Sequence, residues 1–332
     1  MDTRRRDDGV RPRPAVALDI GATKIAAALV DCDGRIVSSE RVPTRQITGT
    51  PEALTDGLRA LVTAAAAPVG LDAVAGIGVS SAGPVDLVAG VVSPVNIPEL
   101  RGVELLKPLA TLVPGRPARL TGDGLAVAAG EHWAGSGQGC PDLLAIVVST
   151  GVGGGLILGG RLHGGASGNA GHVGHAPVVV DGEPCPCGGR GCPEAYASGP
   201  SMVRWALRNG WRPRDAGDGV ELAAAARAGD PCAAEAFARG GRVLGAMIAA
   251  TAATCDISRV VVGGGVAQAG ELLMAPLRRS LADHAVLPFL TGIDLTTARL
   301  GPDACLIGAA ALIHHHFRYA RNERVAATLV AG

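Results

Sequence analysis

Apolar positions recur along this chain in two periods. Residues 15–19, then IAAALVD and GRIVSSERV, read as three consecutive strands in a meander, with a tight turn at Cys32-Asp33-Gly34. Leu54, Leu58, Leu61 and Val62 share one face of a helix over 51–66. Residues 73–79 return to strand, 80–86 form a loop at its end, and a short strand over 118–121 precedes a helix over 125–133. A second strong strand, 143–149, runs into the sequence TGVGGG. Helices follow over 201–208, 220–227 and 232–254, then a buried strand at 259–262 ending in three glycines. A helix over 271–281 and a closing helix over 304–317 complete the pattern. Strands and helices alternate in two blocks, which predicts an α/β protein of two lobes with a cleft between them. The lobes fall over 15–122 and 123–303, with the segment from 304 to 332 returning to the first.

Composition narrows the function classes. The chain has 332 residues, 48% hydrophobic and 18% charged, which suits a globular protein with proper cores. Its formal net charge is zero, so nothing marks it as a partner for nucleic acid or an anionic membrane. Residues 1–14 are charged and contain prolines, and read as a flexible tail without the apolar segment of a targeting peptide. Residues 143–160 carry no charge, yet their glycines favour strand and loop over a membrane span. Cysteines at 32, 140, 232, 255 and 305 are scattered, as in a reducing, cytoplasmic setting.

The densest chemistry lies in GHAPVVVDGEPCPCGGRGCPE. His175, Cys185, Cys187 and Cys192 form an H-x9-C-x-C-x4-C pattern, the ligand set of a closed, four-coordinate structural zinc site. Prolines 184 and 186 and glycines 188, 189 and 191 supply the turns that fold three sulfurs around one ion. The alternative, a disulfide, fits Cys-x-Cys poorly.

Three glycine-containing loops each follow a strand: Asp19-Ile-Gly21-Ala-Thr23-Lys24, Ser149-Thr150-Gly151-Val-Gly153-Gly-Gly155, and Gly263-Gly264-Gly265. Glycines admit phosphate oxygens to backbone N–H groups, and the Thr23 and Thr150 hydroxyls add donors. Asp19, at a strand end, could hold a metal ion through water. No Walker loop is present, and neither glycine cluster matches GxGxxG. Asp123 stands just before a helix, where a carboxylate serves either as an ordinary cap or as a general base.

DIGATKIAAALVD, STGVGGG, GNAGHVGH, CPCGGRGCPEAYASG, VVVGGGVAQAG and LGPDACLIGAA together resemble the ROK family of sugar kinases and related repressors, over residues 15–315. The resemblance implies an actin-like ATPase (ribonuclease H-like) fold, with ATP carried on Mg2+ between the lobes and a hexose opposite its γ-phosphate. It places Asp19, Gly21, Thr23, Lys24, Thr150, Gly151 and Gly153 around the phosphates, and Gly263 and Gly264 near adenosine. It makes Asp123 the base, and Asn96, His172, His175 and Glu194 the sugar contacts. His175 would bind zinc through one ring nitrogen and sugar through the other. A homodimer is expected on the same ground.

Two departures bear on the substrate. Gly122 replaces an asparagine beside the base, and His172 stands where most sugar kinases of the family carry glutamate. GHVGH is similar to bacterial N-acetylmannosamine kinases, and a neutral imidazole donating to an acetamido carbonyl would suit an N-acyl hexosamine. Phosphorylation of N-acetylmannosamine at C6 is therefore favoured, with glucose as the alternative. A catalytically weakened sugar sensor is the reading from another class, and the retained Asp123 speaks against it. A repressor would need a helix-turn-helix domain, for which the residues before the first strand leave no room.

Overall fold

The computed structural model describes residues 12–94 and 97–320. In chain order, β1 (Ala15–Ile20), β2 (Lys24–Val30) and β3 (Ile36–Pro43) form the antiparallel meander. Helix α1 (Pro51–Ala66) follows, started by the Thr50 side chain, which accepts from the Ala53 N–H. β4 (Ile77–Ser81) then runs parallel to β1. β5 (Val85–Asp86), β6 (Val91–Val92) and β7 (Val103–Glu104) make a small antiparallel sheet. Helix α2 (Leu106–Ala110) leads to β8 (Ala118–Gly122), which runs parallel to β4 and gives the sheet order β3-β2-β1-β4-β8.

The second half repeats this plan. After α3 (Asp123–Ala134), β9 (Leu143–Val148), β10 (Val152–Leu158) and β11 (Arg161–Leu162) form a second meander. Four helices follow: α4 (Glu194–Ala197), α5 (Gly199–Arg208), α6 (Gly219–Arg227) and α7 (Pro231–Cys255). β12 (Arg259–Gly263) runs parallel to β9. Beyond α8 (Glu271–His284), β13 (Asp294–Thr297) completes the order β11-β10-β9-β12-β13. The chain closes with α9 (Ala304–His314) and α10 (His316–Tyr319).

Strand periodicity explains how the layers form. In AVALDI, Val16, Leu18 and Ile20 point to the face where Leu54, Leu58 and Leu61 of α1 pack. Ala15 and Ala17 point to the other face, against Leu306, Ala309, Ala310 and Ile313 of α9. Asp19 keeps the phase of the alanines, so its carboxylate faces α9 and not α1. The second sheet is covered on one side by α7 and α8, through Phe237, Leu244, Met247 and Leu277, and on the other by α3 and α9. Helices α3 and α9 thus lie between the two sheets. A Cβ built on Gly308 would stand 1.7 Å from the Ala126 carbonyl oxygen, so the helices meet backbone to backbone.

Several sequence expectations need correction. The strand after α1 begins at Ile77, not at 73, because Leu71–Ala73 makes a 3-10 turn. Residues 80–86 are not all loop: Ser80 and Ser81 end β4, and Val85–Asp86 pair with β6. The closing helix, expected over 304–317, breaks at His315, and His314 and His315 are half-buried against Trp133. No described helix is long and apolar enough to cross a membrane; residues 143–160 are a strand hairpin.

Candidate active site

The cleft floor is made where β1, β4, α3 and α9 converge. The Asp19 carboxylate accepts a 2.9 Å hydrogen bond from the Ser80 hydroxyl on the adjacent strand. Burial, opposed by that hydrogen bond and aggravated by the neighbouring Asp123 charge, pushes its pKa up to about 6. Gly21 and Thr23 form the turn into β2: the Gly21 N–H donates to Lys24, and the Thr44 N–H donates to Thr23. Thr23 and Lys24 are exposed at the rim.

Asp123 is the first residue of α3 and not the residue before it; Gly122 occupies the cap position and offers no side chain. The Asp123 Oδ1 accepts from the Gly124 N–H at 2.7 Å, an arrangement a helix N-terminus favours. The carboxylate opens on the cleft, yet protein crowds its other sides. That desolvation raises its pKa, against the Gly124 hydrogen bond and the attraction of His172; water in the open cleft tempers the effect. The Cys305 thiol lies 3.9 Å from the Asp123 carbonyl oxygen and between the two carboxylates, whose charges, after burial, raise its own pKa.

The glycine run 153–155 belongs to β10 and is not a loop. Gly154 and Gly155 are the surface on which α3 rests: a Cβ on Gly124 would come within 2.3 Å of the Gly154 oxygen, and one on Gly155 within 2.6 Å of the Gly124 oxygen. These glycines seat the helix that carries Asp123. Gly153 borders the cleft recess beside Asp123, and the preceding turn is open too: Thr150 is exposed there, and the Ser149 N–H donates to Gly151 at 2.8 Å. Gly263 ends β12, and Gly264, at φ +95°, passes within reach of the Val148 oxygen, where no Cβ fits.

His172 lies beside Gly122, Asp123 and Gly153 around a small recess in the cleft. Its Nδ1 is 2.9 Å from the Asn169 carbonyl oxygen, which can only accept. Nδ1 therefore carries the proton, and a neutral ring presents Nε2 as an acceptor. That geometry runs against the expectation that a neutral His172 donates to an acetamido carbonyl through Nε2. Asn169 in turn bridges to β5, accepting from the Val85 N–H at 3.0 Å and donating to the Val85 oxygen at 2.8 Å. Asn169, Ser80 and Cys305 were not singled out by the sequence, though all three stand inside or beside its quoted motifs. Asn96 lies outside the described residues.

His175, Cys185, Cys187 and Cys192 converge with their ligand atoms within 4.8 Å of one another. The His175 Nδ1 is 3.7 Å from the Cys185 sulfur, and the Cys187 and Cys192 sulfurs are 3.8 Å apart. Sulfurs held at about 2.3 Å by one tetrahedral ion would sit about 3.8 Å apart, so the donor set fits zinc. Burial raises the Cys185 and Cys192 thiols, while the Gly189 N–H lowers Cys187. The other His175 nitrogen, Nε2, faces Glu194 Oε2 at 3.9 Å. That same oxygen accepts from the Val152 N–H at 3.0 Å, which ties the cysteine loop to β10.

The chain matches the ROK family model over residues 15–316. It is 36% identical to the glucokinase of Streptomyces coelicolor, covering 90% of this chain and 96% of that one. It is 39% identical to the N-acetylmannosamine kinase of Escherichia coli, covering 90% and 97%. Among solved structures, a ROK family glucokinase from Streptomyces griseus in complex with glucose and AMPPNP superposes with a TM-score of 0.75 at 37% identity, covering 90% and 98%. The ROK hexokinase of Thermus thermophilus gives a TM-score of 0.79 at 35% identity, covering 92% and 99%. The repeated sheet plan is the actin-like ATPase fold.

Proposed function

The chain belongs to the ROK family and is an ATP-dependent sugar phosphotransferase; on that premise we propose that it phosphorylates the C6 hydroxyl of an N-acyl hexosamine, N-acetylmannosamine in particular. One observation carries this choice. A Cβ at Gly122 would meet nothing within 4 Å, so the missing side chain leaves room beside His172 and Asp123 for a substituent larger than hydroxyl. His172 Nε2, as an acceptor, complements the N–H of an acetamido group. It complements a hydroxyl equally well, and the Streptomyces glucokinase is 36% identical, which keeps glucose as the second reading.

Asp123 accepts the proton of the attacking hydroxyl as the γ-phosphoryl group transfers in line. Sugar kinases use ATP with Mg2+, which neutralises phosphate charge. Asp19 would hold that ion, and Gly21, Thr23, Lys24, Thr150, Gly151 and Gly153 would bracket the phosphates, with Gly263 and Gly264 toward adenosine. Asn96, His172, His175 and Glu194 hold the sugar. His175, Cys185, Cys187 and Cys192 would hold a zinc ion, which would supply a structural anchor for the Glu194 segment away from ATP. Closure of the lobes, 15–122 on 123–303, excludes water from the transfer. The protein works as a homodimer in the cytoplasm, a reducing setting that suits three zinc-ligating thiolates and five further cysteines without disulfides.

Gly122→Asn tests the substrate directly. The backbone there is extended and the side chain has space, so the variant should fold. Its kcat/KM for N-acetylmannosamine should fall about tenfold or more relative to that for glucose. An unchanged ratio would remove Gly122 from the account.

A further inference from the structure

A second recess, of about 580 Å3, lies far from the cleft. Its walls are the last turn of α3, the segment before β9, the β10–β11 turn and the residues from His315 to Tyr319. Asp123 begins α3 and His132 and Trp133 end it, which at 1.5 Å per residue separates recess and base by roughly 14 Å. The volume falls in the range of small-molecule sites, about 300–1,000 Å3.

Its lining is cationic and aromatic. Arg161 and Arg318 both contribute; among the described residues no lining side chain is acidic and neither arginine forms an ion pair. His132 Nδ1 is bonded to the Tyr319 hydroxyl at 2.7 Å. His315 stands edge-on to Trp133 and to Tyr319, and its Nε2 is buried without a hydrogen-bond partner. Two guanidinium groups lacking carboxylates suit a phosphate dianion, and the aromatic walls suit the apolar face of a sugar ring.

The recess is also wired to the catalytic carboxylates by two rigid elements. Helix α3 joins it to Asp123. Helix α9 ends at His314, beside the recess, and begins next to Cys305, whose sulfur is 3.9 Å from the Asp123 oxygen. We propose that this recess is a second ligand site that binds a phosphorylated hexose, the product class of the enzyme, and passes its occupancy to the cleft through α3 and α9.

The test uses the full chain with its cleft filled by AMPPNP, magnesium and the sugar it turns over. Glucose 6-phosphate is then titrated calorimetrically. One further site per chain is expected, weakened at least tenfold in the Arg161→Ala, Arg318→Ala double variant, whose kcat and KM without added hexose phosphate stay within about twofold of wild type. Absence of binding, or equal binding by the variant, would overturn the proposal. So would inorganic phosphate binding as tightly as the hexose phosphate, since the aromatic wall would then do nothing. Binding that emerges only when the chain is cut after Ala320 would assign the recess to residues 321–332 and overturn it equally.

Discussion

The Nδ1 of His172 lies 2.9 Å from the carbonyl oxygen of Asn169, and this single contact decides what the ring offers to a sugar. A neutral His172 accepts at Nε2, as the glutamate it replaces would. His172→Leu should therefore raise KM for the sugar about tenfold or more, the loss of one buried hydrogen bond, with a smaller change in kcat. In its protonated form, at acid pH, His172 attracts the Asp123 carboxylate and draws its pKa down, so the acid limb of the variant's pH profile should move to higher pH. An unaltered KM would place His172 outside the sugar site.

Asp123→Asn keeps the shape of the helix start and can still accept from the Gly124 N–H. It cannot take a proton. Turnover should drop by about 10² to 10⁴ while sugar affinity, measured calorimetrically, stays within a few-fold. Near-normal turnover would remove the base assignment.

The crowded carboxylates make both activity and stability depend on pH, in opposite senses. Asp19 has its pKa raised from 3.8 to about 6 in the folded protein. Its burial therefore costs nothing below the unfolded value, and the cost grows from about pH 4 to pH 6 and persists above. Asp19→Asn should raise the Tm of the ligand-free protein by a few degrees at pH 7 and leave it unchanged at pH 3.5. Activity runs the other way: kcat/KM should fall on acidification, because Asp123, its pKa raised by burial, must be ionised to accept a proton. A Tm shift of equal size at both pH values would contradict the buried-charge explanation.

The four converging ligands His175, Cys185, Cys187 and Cys192 predict one zinc per chain by metal analysis. Cys187→Ser should lose it and should weaken sugar binding together with it, because Glu194, bonded to the Val152 N–H of β10, directly follows the cysteine loop. Full zinc in that variant would show the ligand set to be wrong.

How much of this was legible in the sequence depended on how local each signal was. The zinc cluster was readable because three of its four ligands stand within eight residues, Cys185 to Cys192, and spacing alone constrains them. Strands β1, β9 and β12 announced themselves as apolar runs. The run GVGGG did not: glycines read as loop, whereas here they are strand, bared so that α3 can lie on β10. The two-residue strands β5 to β7 are too short to leave a period. The His172 tautomer was out of reach because it is set by a backbone carbonyl three residues away, and Asn169's bridge to Val85 spans two segments 84 residues apart. Cys305 reads as an ordinary helix residue until packing carries it to the cleft floor.

The most direct measurement is ADP release with ATP and magnesium across glucose, mannose, N-acetylglucosamine and N-acetylmannosamine. The account predicts that N-acetylmannosamine gives the highest kcat/KM, as the room beside Gly122 requires. Turnover led by glucose would contradict it and make the chain a glucokinase in which Gly122 and His172 are tolerated replacements.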